Sequence, residues 1–184
     1  MGMVHRRELA ELCRRFRSPQ RTVTVDPVEL AAQGVTVLVL DFDGVLAPHG
    51  AEVPLPEVEA WLRRCAMLFR EGRLFILSNR PDPTRADYFR RRFPGIGFVS
   101  GVRKKPFPDG LQRIMALSGA APGQVVILDD RLLTGVLGGV LAGVGVIYIT
   151  APYVSLGQRP LAEGFFMLLR SVERALVALV SRLP

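Results

Sequence analysis

The stretch VTVLVLDFDGVL, residues 35–46, is an apolar run that leads into two aspartates, Asp41 and Asp43. Such a run predicts a central strand of a parallel sheet, buried on both faces. Ligands of open parallel sheets bind at the carboxyl ends of the strands, so both carboxylates stand where a site is expected. At about 4 Å and an effective dielectric constant near 20 they repel each other by about 4 kcal/mol, and a neighbouring cation is therefore expected.

The rest of the chain alternates strand and helix patterns. Further apolar runs predict strands at 73–78, 97–100, 124–129 and 144–150. Helical patterns are found between them, at about 56–71, 82–93, 107–118 and 132–142. This alternation predicts an α/β fold: a doubly wound parallel sheet with right-handed crossovers.

Length and composition narrow the class of protein. The chain has 184 residues, 49% of them hydrophobic and 22% charged, which predicts one domain over residues 1–184 and excludes a disordered chain or a coiled coil. The two cysteines, Cys13 and Cys65, form no metal-binding or disulfide pattern, and this favours a reducing compartment. We expect a cytoplasmic protein, with peripheral attachment to the inner face of a membrane as the alternative.

One long uncharged segment has the hydropathy of a transmembrane helix. Residues 132–158 contain no charged side chain. Glycines, among them Gly135, Gly139 and Gly143, interrupt the segment, and β-branched residues follow them. We therefore predict a helix packed closely on the sheet and then a buried strand, and no transmembrane helix. The amino-terminal residues lack the apolar core of a signal peptide and predict a basic helix within residues 1–20.

The carboxy-terminal segment, residues 161–182, predicts an amphipathic helix. Its apolar stripe contains Phe165, Leu168, Leu169, Val172, Leu176, Leu179 and Val180. Its other face contains Arg170, Glu173, Arg174 and Ser181. We expect the apolar stripe to dock on the domain or on a second subunit. The alternative is attachment to an anionic membrane, because the net charge of +7 would attract the protein to acidic lipids.

Polar residues follow the other predicted strands. Ser78 ends the second strand and Asn79 follows it, and Asp130 follows the fourth strand. Lys104 and Lys105 are the only lysines in the chain. Oxygen ligands beside a lysine suit Mg²⁺ and phosphate chemistry. Each of these features has a more ordinary interpretation when it stands alone. An Asp-x-Asp pair is more typical of a turn or a helix cap, and a serine at a strand end is more typical of a helix cap. A lysine pair is more typical of an exposed loop.

The motifs together resemble a known family. DFDGVLAP (41–48), LSNR (77–80), KKP (104–106), DDRLLTGVLGG (129–139) and RSVERAL (170–176) are similar to haloacid dehalogenase-like phosphatases of subfamily IIIA. Within it they resemble the YqeG type and the related mitochondrial phosphatidylglycerophosphate phosphatases, over about residues 19–176.

This resemblance implies a Mg²⁺-dependent phosphatase with an aspartyl-phosphate intermediate. Asp41 would be the nucleophile and Asp43 the general acid and base. The metal ligands would be the carboxylates of Asp41 and Asp130 and the main-chain carbonyl of Asp43. The phosphoryl group would be bound by Ser78, Asn79, Lys104 and Lys105, with Ser78 and Lys105 also counted as catalytic.

One position departs from the family pattern. Related proteins usually have an acidic residue where this chain has Gly135, and glycine where it has Asp129. Restoring an aspartate at position 135 is expected to leave the fold intact and to tighten Mg²⁺ binding, unless Asp129 already fills that role. We interpret His49, which lies near the Asp41 loop, as a surface histidine.

The spacing of the motifs leaves no room for an inserted cap domain. An open site suits a large substrate or a lipid headgroup such as that of phosphatidylglycerophosphate. The alternative function is a non-catalytic basic module that binds RNA or ribosomal surfaces through the arginines of 6–17 and 85–92. No RNA-binding motif supports it, so nucleic acid is not the expected partner. A response-regulator receiver domain is not expected, because its acidic residues would lie on the strands in a different order.

Overall fold

The structure, a computed structural model, describes residues 5–80 and 82–181. Five parallel strands form one sheet in the order β3-β2-β1-β4-β5. Their bounds are β1 Val37–Leu40, β2 Leu74–Leu77, β3 Ile96–Val99, β4 Val125–Asp129 and β5 Gly145–Tyr148. The predicted α/β fold with a doubly wound parallel sheet is confirmed.

Helices connect the strands and cover the sheet. Their bounds are α1 Arg6–Arg15, α2 Pro27–Ala32, α3 Pro56–Leu68, α4 Pro83–Arg92, α5 Asp109–Ser118, α6 Leu137–Ala142 and α7 Pro160–Val180. A single π-helical turn, Leu132–Val136, precedes α6. Asp82 caps α4 by accepting hydrogen bonds from the main-chain N–H groups of Thr84 and Arg85. The terminal helices were predicted within residues 1–20 and over residues 161–182. Residues 1–4 and residue 182 of these segments lie outside the described residues.

The register of the sheet brings the strand ends together. Leu40 of β1 pairs with Ile76 of β2 and with Leu128 of β4. The residues that follow these three positions therefore meet at one edge of the sheet. Alternate residues of β1 face opposite layers: Leu38 and Leu40 join the core that contains Phe42 and Phe89. The side chains of Val37 and Val39 join the core on the other face.

The uncharged segment 132–158 contains the π turn, α6 and β5, so the predicted helix and strand are both present. The strand is not the buried one that was expected, because β5 lies at the edge of the sheet and only Tyr148 of it is buried. A Cβ atom at Gly139 would lie 2.5 Å from Val146 and 2.8 Å from Ile127, so this glycine allows α6 to lie close against β4 and β5. Among the helices that the structure describes, none is long and apolar enough to cross a membrane.

No separate cap lies over the sheet in the described chain. Between β1 and β2 the only regular helix is α3, and between β2 and Lys105 the chain forms α4 and β3. The carboxyl edge of the sheet is therefore covered only by its own loops and by α7.

Helix α7 packs on the domain partly through two residues that were expected to point outward, Arg170 and Glu173, whereas Arg174 of the same predicted face is exposed. Its buried residues are Glu163, Arg170, Glu173 and Val177. In contrast, Leu161 is 89% exposed and Leu168 is 64% exposed. The prediction that the apolar stripe docks on the domain is therefore wrong. The physical reason is that α7 supplies charged partners to buried groups at the sheet edge, and a buried charge is stable only when it is paired.

Candidate active site

A cleft of about 540 Å³ opens at the carboxyl edge of the sheet. Loops after β1, β2, β3 and β4 and the first turns of α7 form its walls. Seven predicted site residues line it: Asp41, Asp43, Ser78, Asn79, Lys104, Lys105 and Asp130. All seven residues chosen from the sequence thus meet in one cleft.

Lys105 joins two of the carboxylates. Its Nζ lies 2.9 Å from Oδ1 of Asp41 and donates a hydrogen bond of 2.6 Å to Oδ2 of Asp129. All three side chains are almost completely buried. Burial lowers the pKa of Lys105, but the charges of Asp129 and Asp41 outweigh it and raise the pKa above its ordinary value. Lys105 is therefore a fixed positive charge beside Asp41.

Asn79 holds Lys105 in place. Its Nδ2 donates to the Lys105 carbonyl oxygen over 3.1 Å, and its Oδ1 accepts from the Lys105 N–H over 2.7 Å. Both amide atoms are thus engaged with the main chain of Lys105. Asn79 was predicted to bind substrate, and in this structure its side chain positions the lysine.

Asp130 is paired with an arginine of α7. The Arg170 Nε donates to Oδ2 of Asp130 over 2.5 Å, and both residues are buried. The other carboxylate oxygen, Oδ1, is buried and has no hydrogen-bond partner in the part of the chain that the structure describes. Gly44 makes this packing possible, because it has a φ of 81° and a Cβ there would lie 2.5 Å from Asp130.

Three buried carboxyl groups face two buried cations in this cluster. Asp41, Asp129 and Asp130 bring ligand atoms within 4.8 Å of one another, and the buried cations that face them are Lys105 and Arg170. Burial raises the pKa of Asp41 to about 6 and that of Asp130 to about 8. The free Oδ1 of Asp130 and the all-oxygen donor set fit a divalent cation such as Mg²⁺.

Asp129 occupies the space that an acidic side chain at position 135 would need. A Cβ at Gly135 would overlap the Asp129 carboxylate and lie 2.6 Å from the Asp129 Cβ. In a chain that keeps Asp129, Gly135→Asp is therefore expected to overfill this space and to cost stability, rather than to be accommodated freely. The alternative, in which Asp129 fills the role of the missing acid, agrees with its place in the carboxylate cluster.

Asp43 is held by an arginine that the sequence did not single out. Arg85 donates from Nη1 and Nη2 to the two carboxylate oxygens of Asp43, over 3.0 and 2.8 Å, and lies over the Phe42 ring. The Gly50 N–H donates to the same carboxylate over 3.0 Å. Burial raises the pKa of Asp43, but the hydrogen bonds from Arg85 and Gly50 and the charge of Arg85 together outweigh burial and lower the pKa below its ordinary value. In this arrangement Asp43 is an ionised carboxylate.

Ser78 and Lys104 lie in the outer part of the cleft. The Ser78 Oγ accepts a hydrogen bond from the Arg80 N–H over 3.2 Å, and α4 is capped by Asp82 instead. Lys104 is exposed at the mouth, in contrast to the buried Lys105. Both positions agree with a contact to a phosphoryl group that enters from solvent.

His49 is part of the cleft wall. Its ring stacks on Phe166 of α7 with a centroid distance of 3.7 Å, and its Nδ1 lies 3.5 Å from the buried Glu163 carboxylate. Burial and the charge of Arg170 lower the pKa of His49 to about 4. The interpretation of His49 as a surface histidine is therefore wrong, because α7 covers it.

Sequence reasoning missed the arginines that pair with the site. Arg85 was counted with the basic patch 85–92, and Arg170 with the outer face of the last helix. A signal for both exists in principle: the buried strand ends contain more aspartates than the lysines available to neutralise them. Which arginines neutralise these aspartates depends on where α4 and α7 lie in three dimensions.

A family model for haloacid dehalogenase-like hydrolases matches residues 3–143, well over half of the chain. The chain is a haloacid dehalogenase-like hydrolase. The matched range includes all seven predicted site residues, from Asp41 to Asp130.

The family assignment rests on this match alone. No curated protein matches the hydrolase. A crystal structure of an uncharacterized protein from Corynebacterium glutamicum is similar, with 23% sequence identity and a TM-score of 0.49. The similarity covers 75% of this chain and 96% of that one.

Proposed function

We propose that this hydrolase is a Mg²⁺-dependent phosphatase that acts through an aspartyl-phosphate on Asp41. The observation that carries the proposal is the convergence of three buried carboxylates and Lys105 at the open edge of the sheet. The unpartnered Oδ1 of Asp130 gives the cluster a buried acceptor that a cation would satisfy.

Asp41, Asp129 and Asp130 would hold the metal, with the predicted main-chain carbonyl of Asp43 as a further ligand. When bound, Mg²⁺ supplies positive charge that reduces repulsion between the substrate phosphate and Asp41. Lys105 acts in the same direction through its own charge.

In the first step a carboxylate oxygen of Asp41 attacks phosphorus, and the bond from phosphorus to the leaving alcohol oxygen breaks. In the second, water attacks the aspartyl-phosphate, releases inorganic phosphate and regenerates Asp41. Asp43 would donate a proton to the leaving oxygen and take one from the water. It must first acquire that proton and move away from Arg85, so the Arg85 contact favours the resting state. Ser78 would donate a hydrogen bond to the phosphoryl oxygens.

The substrate we propose is a phosphomonoester on a large or lipid molecule, such as phosphatidylglycerophosphate. Two observations support a large substrate: the described chain has no cap over the cleft, and Lys104 and Arg159 stand exposed at its mouth. The lipid itself comes from the family resemblance of the motifs.

The contacts of residues 85–92 argue against the RNA-binding alternative. Arg85 is buried on Asp43, Arg90 pairs with Asp87, and Arg92 pairs with Glu59. Most of the positive charge of this patch is therefore already neutralised within the chain.

The decisive experiment measures phosphate release from an aryl phosphate with Mg²⁺ and with a chelator. We expect Asp41→Asn to abolish release, because an amide neither attacks phosphorus nor carries the charge that binds the metal. Asp43→Asn should be severely impaired. Asp87→Asn, on the outer face of α4, is the matched control and should retain wild-type activity. Substantial turnover by pure Asp41→Asn protein would refute the mechanism.

A further inference from the structure

Helix α7 exposes an apolar stripe along its whole length. Its members recur three or four residues apart and span about 27 Å of helix. They are Leu161 (89% exposed), Phe165 (59%), Leu168 (64%), Val172 (43%), Leu176 (45%) and Leu179 (63%). On the exposed face of this helix, Arg174 is the one charged residue.

The stripe is not used to hold the helix on the domain. The opposite face of α7 does that, through the ion pairs of Arg170 with Asp130 and of Glu173 with Arg131. Helices of globular proteins usually bury the apolar face and expose the charged one. This reversal leaves an apolar surface free for a partner outside the fold.

The stripe is continuous with the mouth of the cleft. Arg159, Ala162 and Phe166, which surround the first turn of α7, line the cleft that contains Asp41. The rings of Phe165 and Phe166 are 5.5 Å apart, so the stripe begins where the cleft ends. A substrate whose phosphate reached Asp41 would have its remaining part beside apolar side chains.

Arginines flank the stripe at both ends. Arg159 stands at the cleft mouth, and a second cleft of about 490 Å³ between α1 and α7 contains Arg14, Arg17 and Arg174. Among the residues that the structure describes, Arg17, Arg159 and Arg174 have no carboxylate partner. The rim of the apolar surface is therefore cationic.

We propose that the α7 stripe binds the surface of an anionic lipid bilayer and holds the cleft mouth at the level of the headgroups. The proposal rests on the proposed function, since it names the surface on which that substrate would be met. Apolar side chains with flanking arginines are the pattern of helices that lie in a membrane interface. A second copy of the chain is a poorer occupant, because facing stripes would bring the arginine rims of two +7 chains together.

The test measures sedimentation of the full chain with vesicles, which requires no turnover. One set contains phosphatidylcholine alone and the other contains phosphatidylcholine with phosphatidylglycerol. The stripe variant is Leu168→Gln/Leu179→Gln, at exposed positions outside the cleft. The matched control is Met67→Gln/Leu117→Gln, which removes side chains that are at least as exposed (79% and 64%) from α3 and α5. Aryl phosphatase activity and oligomeric state are measured on each protein.

We expect salt-sensitive binding to the anionic vesicles, at least about tenfold weaker binding by the stripe variant, and wild-type binding by the control. Aryl phosphatase activity should be unchanged in both variants. Binding that is equal in the stripe variant and wild type, or absent from wild type, would overturn the proposal. So would a dimer that the stripe variant dissociates, with no vesicle binding. Asp41→Asn should bind vesicles normally, which separates this proposal from the proposed catalysis.

Discussion

At the scale of single residues, Asp129 and Gly135 act as a pair. The carboxylate of Asp129 fills the volume beside Gly135 and accepts a hydrogen bond from Lys105. The acidic group of the cluster therefore comes from the strand end, whereas the family pattern places it on the following turn. The two arrangements exclude each other, since only one side chain fits in the space.

We predict that Gly135→Asp lowers the free energy of unfolding by about 2 kcal/mol, because it overfills a packed site and adds a like charge. Adding Asp129→Gly to it should recover at least half of the loss, because the partners are in contact. Urea unfolding measures both effects, and Gly123→Asp, at a glycine with no atom near its Cβ position, is the control. Additive losses in the double variant would show that the two residues do not share this space.

At the scale of elements, α7 is bound to the site by Arg170. The arginine lies opposite Asp130 on the buried face of the helix, and removing it would leave a buried carboxylate without a partner. The cost of such an unpaired charge is several kcal/mol, far more than an exposed ion pair contributes. Helix α7 is thus both a covering element and a source of charge for the site.

We expect Arg170→Met to lower the free energy of unfolding by about 3 kcal/mol. Mg²⁺ should raise the Tm of this variant more than that of wild type, because the cation replaces the missing positive charge. Arg174→Met, on the exposed face of the same helix, should change stability by less than about 0.5 kcal/mol. Equal Mg²⁺ shifts in wild type and Arg170→Met would contradict a metal-binding role for Asp130.

At the scale of the whole molecule, the sequence was sufficient to predict the fold and to predict that the residues at the strand ends meet in one cleft. The strand runs before Asp41, Ser78 and Asp129 predict where these residues meet, because parallel register forces the ends to one edge. The partners from α4 and α7 could not be predicted, because Arg85 and Arg170 lie in ordinary amphipathic patterns. The predicted orientation of α7 was wrong for the same reason, because the hydropathy pattern of a helix does not show which charged residues form buried ion pairs.

The whole molecule should also lose stability in acid through His49. Burial lowers its pKa to about 4 in the folded state, whereas the unfolded chain has the ordinary value near 6.5. Between these values the unfolded state binds the extra proton, so the free energy of unfolding decreases as pH falls from 6.5 to 4.

Urea unfolding at pH 7 and 4.5 measures this effect. Over that interval wild type should lose about 2 kcal/mol more than His49→Gln. The control is His5→Gln, which removes the other histidine of the chain, at the start of α1. The same pH dependence in wild type and His49→Gln would refute the prediction.

The pairing of Asp130 with Arg170 also has a consequence for biosynthesis. Forty residues separate the two, so at typical rates of translation the arginine is made a few seconds after the aspartate. Strands β1 to β4 have been synthesised when that interval begins, but the acidic cluster still lacks the arginine of α7. Asp130 therefore acquires its buried arginine partner only after α7 has been synthesised.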